Sequence, residues 1–192
     1  MGENMIPIIG QAIDGTYDSG LKGSGPVTVE DLIRRAKHSV LHLEMRDTYT
    51  PQHPAYLDWL AGGTGRYDRT TFKDLVRELA GRGVAMRRAR VVSEPLSKEI
   101  QWEHMISDEN VDAGEKIRWL PRTQAFDLLL PGADFYLVDN RVVAYNFCAG
   151  DGTDTGEEVF SSAPDTVAQC LLAFEQVWER ATPHADYRPS MK

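Results

Sequence analysis

Two stretches of this chain place charge on the side of a strand that a sheet would turn inward, and that pattern limits what the chain can fold into. In residues 84–92, Val84, Met86 and Val92 alternate with residues facing the other way, and Arg88 and Arg90 fall on their face. In residues 39–46, Leu41, Leu43 and Met45 point one way, and His42, Glu44 and Arg46 the other. A guanidinium turned toward an interior is very costly unless an anion meets it there. Glu44, Asp47 and Glu94 are the natural partners in sequence. The alternatives are an ion-pair network between strands, or a recess whose charge serves a ligand.

The surrounding pattern is that of an α/β protein. Thr28 with Asp31 has the spacing of a capping box and predicts a helix over 28–38. Residues 54–60 read as a short helical turn ended by Gly62 and Gly63, and Thr71 with Asp74 predicts a cap for a second helix. Helix 96–107, strand 115–121 and a hairpin turning at Asp139-Asn140 follow. After an acidic loop over 149–158 come a short strand and a last helix with an apolar stripe at Val167, Cys170, Leu171, Phe174 and Val177. The order α-β-α-β-α-β-β-β-α predicts a mixed sheet flanked by helices. With 192 residues, the expectation is a flexible N-terminal arm over 1–26, rich in Gly, Ser and Asp, then a single α/β domain over 27–192 that ends in an irregular tail lying on the domain.

Twenty-nine acidic against twenty-one basic residues give a net charge of −8. That balance argues against direct nucleic-acid binding and against a membrane surface. No run approaches the ~20 apolar residues of a membrane span, and the start lacks a secretory pattern, so the expected location is cytoplasmic with Cys148 and Cys170 reduced. Neither cysteine has a neighbour in sequence that would make it a nucleophile. No metal and no cofactor is expected: there is no HExxH pattern, Walker A lysine or dinucleotide glycine run, and the acidic loop lacks the ligand order of a calcium loop.

What chemistry the sequence offers gathers on the charged strands and the loops leaving them. The candidate ligand-binding set is Glu44, Arg46, Asp47, Arg90, Ser93, Arg118 and Arg122; the candidate catalytic groups are Glu94, Glu103 and His104. Ser93 and Glu94 leave a strand just before a helix, where open α/β sheets bind ligands. Two functions fit. One is an accessory or regulatory protein that binds a partner protein or a small anionic molecule. The other is a small enzyme of specialised metabolism, with Glu94 or Glu103 as base and Arg90 or Arg118 holding a carboxylate or phosphate.

Five segments, HLEMRDTYTP, RRARVVSEPLS, AGEKIRWLPR, LPGADFYLVDNRVV and FEQVWERATPHADYRP, together resemble an actinobacterial family of uncharacterised proteins over residues 37–189. Its members are often encoded beside helix-turn-helix regulators, so the resemblance implies a regulatory or accessory role and such a regulator as partner. Self-association as a homodimer is compatible with it. Residues 28–147 also resemble a phospholipase D-like half-domain, with DFYLVDNRVV in the place of that fold's signature hairpin. Aligned on Asp139, Gly132 stands where the nucleophilic His belongs and Asp134 where the phosphate-binding Lys belongs. The resemblance therefore implies the fold without its parent chemistry.

Overall fold

The charged strands lie side by side in the middle of one sheet. The computed structural model describes residues 28–190; the arm expected over 1–26 lies outside the described residues. Seven strands are described: β1 (Ser39–Glu44), β2 (Ala85–Val92), β3 (Lys116–Pro121), β4 (Asp134–Val138), β5 (Val142–Cys148), β6 (Asp154–Ser161) and β7 (Thr182–Pro183). They form one sheet in the order β6-β5-β4-β1-β2-β3-β7. β1, β2 and β3 run parallel, and each remaining pairing is antiparallel. The helices are α1 (Val29–Arg35), α2 (Pro54–Leu60), α3 (Thr70–Gly81), α4 (Lys98–Ala113) and α5 (Pro164–Arg180). The sheet is mixed and helices flank it, as the element order predicts.

Alternation along the central strands sorts side chains to two faces. Leu41, Leu43, Ala89, Val91, Phe135 and Leu137 pack with Cys170, Phe174 and Val177 of α5. Val40, Met86 and Val138 on the other face pack with Leu32 and Ile33 of α1 and Leu75, Val76 and Leu79 of α3. Further along that second face the apolar residues give way to His42, Glu44, Arg88 and Arg90, and α4 covers them. The Thr28–Asp31 capping box forms in both directions. The Asp139-Asn140 turn has φ of 53° at both residues, the left-handed pair that a two-residue hairpin with native twist requires. Asp139 also ties the hairpin to β1, because its carboxylate accepts from the backbone N–H of Lys37, His38 and Ser39.

Three local expectations change. α1 ends at Arg35 rather than at residue 38. α3 begins at Thr70, not behind a Thr71 cap: Asp68 Oδ1 accepts from the Thr70 N–H at 2.8 Å, so the carboxylate two residues earlier satisfies the first free amide. The acidic loop is in part a strand, since β6 starts at Asp154 and pairs Cys148 with Asp154 and Asn146 with Glu158. The C-terminal segment lies on the domain as expected, and it is irregular except for one short strand. Thr182 and Pro183 add to β3, Trp119 Nε1 donates to His184 Nδ1 at 2.9 Å, and the Tyr187 hydroxyl donates to Glu94 at 2.6 Å. No helix among the described residues is long and apolar enough to cross a membrane.

Candidate functional site

The parallel register places Glu44 beside Arg90 and His42 beside Arg88. All four project from the α4 side of the sheet. Arg90 Nε lies 2.8 Å from Glu44 Oε2, and Arg90 Nη2 meets Glu103 of α4. Arg88 Nη1 lies 3.2 Å from Glu44 Oε1, and its Nε donates to Glu115 at 2.8 Å. Asn110 Nδ2 donates to the other oxygen of Glu115 at 2.7 Å. Two guanidiniums thus face three carboxylates, all buried or nearly so. Arg90, only 2% exposed, is also sandwiched by rings, 5.3 Å from the centroid of Tyr49 and 5.1 Å from that of Trp119. Both guanidiniums are thus paired within the protein, Arg90 with Glu44 and Glu103 and Arg88 with Glu44 and Glu115.

The field of this cluster sets its protonation. Burial alone would raise Glu44, but Arg88 and Arg90 outweigh it and hold the carboxyl down to about 2. Burial dominates at Glu103 and raises it, against the opposing pull of Arg90. Burial also pushes Asp134 up to about 6, with the Tyr49 hydrogen bond opposing and Glu44 adding to the rise. The Asp134 carboxylate accepts from the Tyr49 hydroxyl at 2.7 Å and from the Met45 N–H at 2.8 Å. His42, stacked on Tyr136 at 3.7 Å between centroids, is driven down to about 3 by burial and stays neutral.

Over this cluster opens a cleft of about 200 Å³. One wall is aromatic: His53 lies 4.5 Å from Tyr67 and 5.4 Å from Trp102 between ring centroids. Trp102 is fixed by its Nε1 donating to Gly65 O at 2.8 Å, and Arg69 by its Nη1 donating to Ile106 O at 2.9 Å. The loop after β1 is pinned by buried Glu99, which accepts from the Thr48 hydroxyl and the Tyr49 N–H, each at 2.6 Å, and from the Thr50 N–H.

Of the residues singled out from sequence, Glu44, Arg90 and Glu103 meet at the cleft. Asp47, Ser93 and Arg122 form a separate knot at the ends of β1, β2 and β3. There Ser93 Oγ donates to Asp47 at 2.6 Å, and Arg122 donates to Ser93 Oγ, Met45 O and Val91 O. Arg46 reaches the β5–β6 loop, donating to Cys148 O and Ala149 O. Arg118 does not join the others: it lies on the α5 face, 4.5 Å from the Trp178 ring centroid and donating to Trp178 O. Glu94 and His104 turn to the C-terminal segment. Glu94 accepts from Tyr187, and His104 packs on Trp119 and His184, where burial lowers it to about 4. Glu94, Glu103 and His104 therefore do not converge. Sequence reading missed the aromatic wall, since Tyr49, His53 and Tyr67 sit in loops; the clustering of rings just after the β1 strand was the available signal. No group of His, Cys, Asp and Glu among the described residues is arranged to hold a metal ion.

The family model described as a domain of unknown function, DUF6879, matches residues 27–189. The chain belongs to the DUF6879 family. No curated protein matches it. Among solved structures, this DUF6879 chain is similar to TrmBL2, an archaeal chromatin protein whose structure shows a novel mode of DNA binding. Identity is 13% and the TM-score 0.44, over 80% of this chain and 48% of that one. It is also similar to NucT from Helicobacter pylori, with 12% identity and a TM-score of 0.46, over 79% of this chain and 86% of that one. The DUF6879 chain thus spans about half the length of the TrmBL2 chain. The expectation that it makes no direct contact with nucleic acid is withdrawn, since it rested on the net charge alone; one of these structures is that of a DNA-binding protein. A net charge of −8 is a sum over the whole sequence and decides nothing about any one patch.

Proposed function

We propose that this DUF6879 chain is an accessory protein that acts by binding, without phospholipase D-type catalysis, and that its cleft receives a small polar molecule with a planar apolar part. The observation that carries this reading is the neutralisation of the cleft's own charge: Arg90 is held between Glu44 and Glu103 beside an aromatic wall of His53, Tyr67 and Trp102. A small anion alone would meet a guanidinium already paired and flanked by two carboxylates. A ligand offering both donors and acceptors would instead match the mixed-sign lining of Glu44, Arg69 and Glu103, while its flat part stacks on the rings. Phosphoryl transfer finds no support: Gly132 has no side chain to attack with, and the Asp134 carboxyl would repel a phosphate once ionised. The enzyme reading is weaker, since its acid–base groups are dispersed.

The test is thermal unfolding of the protein with three probes: inorganic phosphate, tryptophan and adenosine. At a hundredfold excess over Kd, a bound probe raises Tm by roughly 5 °C or more for a chain of this size. We expect adenosine or tryptophan to do so, phosphate not to, and Tyr67→Ala to abolish the rise. A rise with phosphate alone, lost in Arg69→Ala, would replace this reading with an anion pocket. No shift with any probe would leave the cluster as a strut and remove the ligand.

A further inference from the structure

If the cleft over the charge cluster receives a small molecule, as proposed above and as this inference requires, the placing of its charges says which kind. At the floor, three carboxylates share two guanidiniums. Arg88 gives two of its donors to Glu115, which Asn110 also engages, and only one to Glu44. Arg90 is therefore left facing two carboxylates, and both of these, Glu44 and Glu103, line the cleft. The imbalance is felt at Glu103, whose carboxyl is raised by burial against the pull of Arg90. The floor thus presents negative charge that the protein does not cancel in full.

Nearer the solvent the sign reverses. Half-buried Arg69 lines the same cleft, and no carboxylate among the described residues pairs with it. Its Nη1 donates to the Ile106 carbonyl at 2.9 Å, and its guanidinium lies over the Tyr67 ring, 5.6 Å from the centroid. Ile106 stands three residues beyond Glu103 on α4, a rise of about 4.5 Å. The uncancelled cation and the uncancelled anion are thus rooted within one helical turn of each other. The rings of His53, Tyr67 and Trp102 wall the same space. Its volume of about 200 Å³ lies below the ~300 Å³ at which pockets for drug-sized molecules begin.

A molecule that matches all of this carries an anion and a cation on one small unit with a flat apolar body beside it. With Arg69 Nη1 turned to α4, the rest of its planar fork suits a carboxylate. An ammonium supplies the positive charge that the floor lacks, and the ring stacks on the wall. A nucleoside has no formal charge and would leave both uncancelled groups as they are. We infer that the cleft takes a zwitterionic aromatic amino acid, its α-carboxylate on Arg69, its α-ammonium toward Glu103 and its ring against Tyr67 and Trp102.

The experiment follows thermal unfolding of the full chain against concentration of four probes: tryptophan, tryptamine, indole-3-propionate and adenosine. Tryptamine lacks the carboxylate and indole-3-propionate the ammonium, so each should bind at least ~10-fold more weakly than tryptophan, as the loss of one charged hydrogen bond implies. Arg69→Ala should bring tryptophan down to the affinity of tryptamine and leave tryptamine unchanged, and Arg69→Lys should restore part of the difference. The comparison among probes needs no variant, so it stands even if Arg69→Ala fails to fold. Tryptamine or indole-3-propionate binding as tightly as tryptophan would overturn the amino-acid assignment. So would a rise in Tm with adenosine alone, which would leave the planar-ligand reading in place. No rise with any of the four would remove both.

Discussion

Arg90 shows how costly an inward charge is and how the fold contains it. Its guanidinium contacts Glu44 and Glu103 and lies between two aromatic rings. Arg90→Ala would leave two buried carboxylates facing each other, so it should cost about 3–5 kcal/mol, read as a shift in the urea unfolding midpoint. A loss below 1 kcal/mol would mean that the cluster is solvated. Asp134 gives a prediction of the opposite kind. Its folded carboxyl titrates near 6 against an ordinary 3.8, so the fold retains a proton that the unfolded chain has released. The stability this contributes is complete below about 3.8 and is lost as pH rises through 6. Asp134→Asn stays neutral throughout, so relative to the native chain it should gain on the order of 2–3 kcal/mol between pH 4 and pH 7. Unfolding free energies of both proteins at the two pH values would check it, and a constant difference would refute it. His42 works in the reverse sense: held down to about 3, it contributes stability above 6.5 that is lost as pH falls toward 3.

At the scale of elements, the hairpin turn is the joint between the antiparallel and parallel halves of the sheet. Asp139 accepts from three successive backbone amides at the start of β1, so Asp139→Ala should cost about 2 kcal/mol, the worth of hydrogen bonds to a charged acceptor. Asn140→Gly should be close to neutral and Asn140→Val destabilising by about 1–2 kcal/mol, because Asn140 has φ of 53° and a β-branched residue resists that region. Urea titrations of the three variants decide this, and equal effects of Gly and Val would sink the turn argument. This joint was legible because Asp-Asn between alternating apolar runs has few other uses, and the inward charges were legible for the same reason of alternation. Register was not. In KIRWLP, Arg118 and Trp119 necessarily face opposite ways, and only the pairing of Arg90 with Trp119 decides which of them meets the cluster. The first half of strand β6 hid in the acidic loop because its residues are exposed and carry no apolar alternation, whereas its later half, at Glu158–Ser161, was legible. The aromatic wall escaped notice because loop side chains separated in sequence meet only once α2 and α4 are docked.

Across the whole molecule, the two edges of the sheet are finished differently. One edge, β6, borders a groove walled by the 128–133 loop and α5. The other is closed by the chain's own end: β7 pairs with β3, His184 bridges Trp119 and Asp108, and Tyr187 stacks on Trp119 at 5.6 Å with rings 3° from parallel. That edge cannot be a late addition to a finished domain, because Trp119 is completely buried and is one of the two rings that hold Arg90. Removing residues 182–192 should therefore do more than expose an edge. It uncovers Trp119, loosens the ring behind Arg90 and strands Glu94 without the Tyr187 hydroxyl, so the charge cluster weakens from behind. The shortened chain should melt at least ~10 °C lower, as a loss of several kcal/mol implies at this size, and its tryptophan emission should move to longer wavelength. Tyr187→Phe, which removes only the hydroxyl, should cost about 1 kcal/mol and leave the emission in place. If the shortened chain kept the Tm and emission of the full one, the C-terminal segment would be an ornament and the cluster would need another source of rigidity.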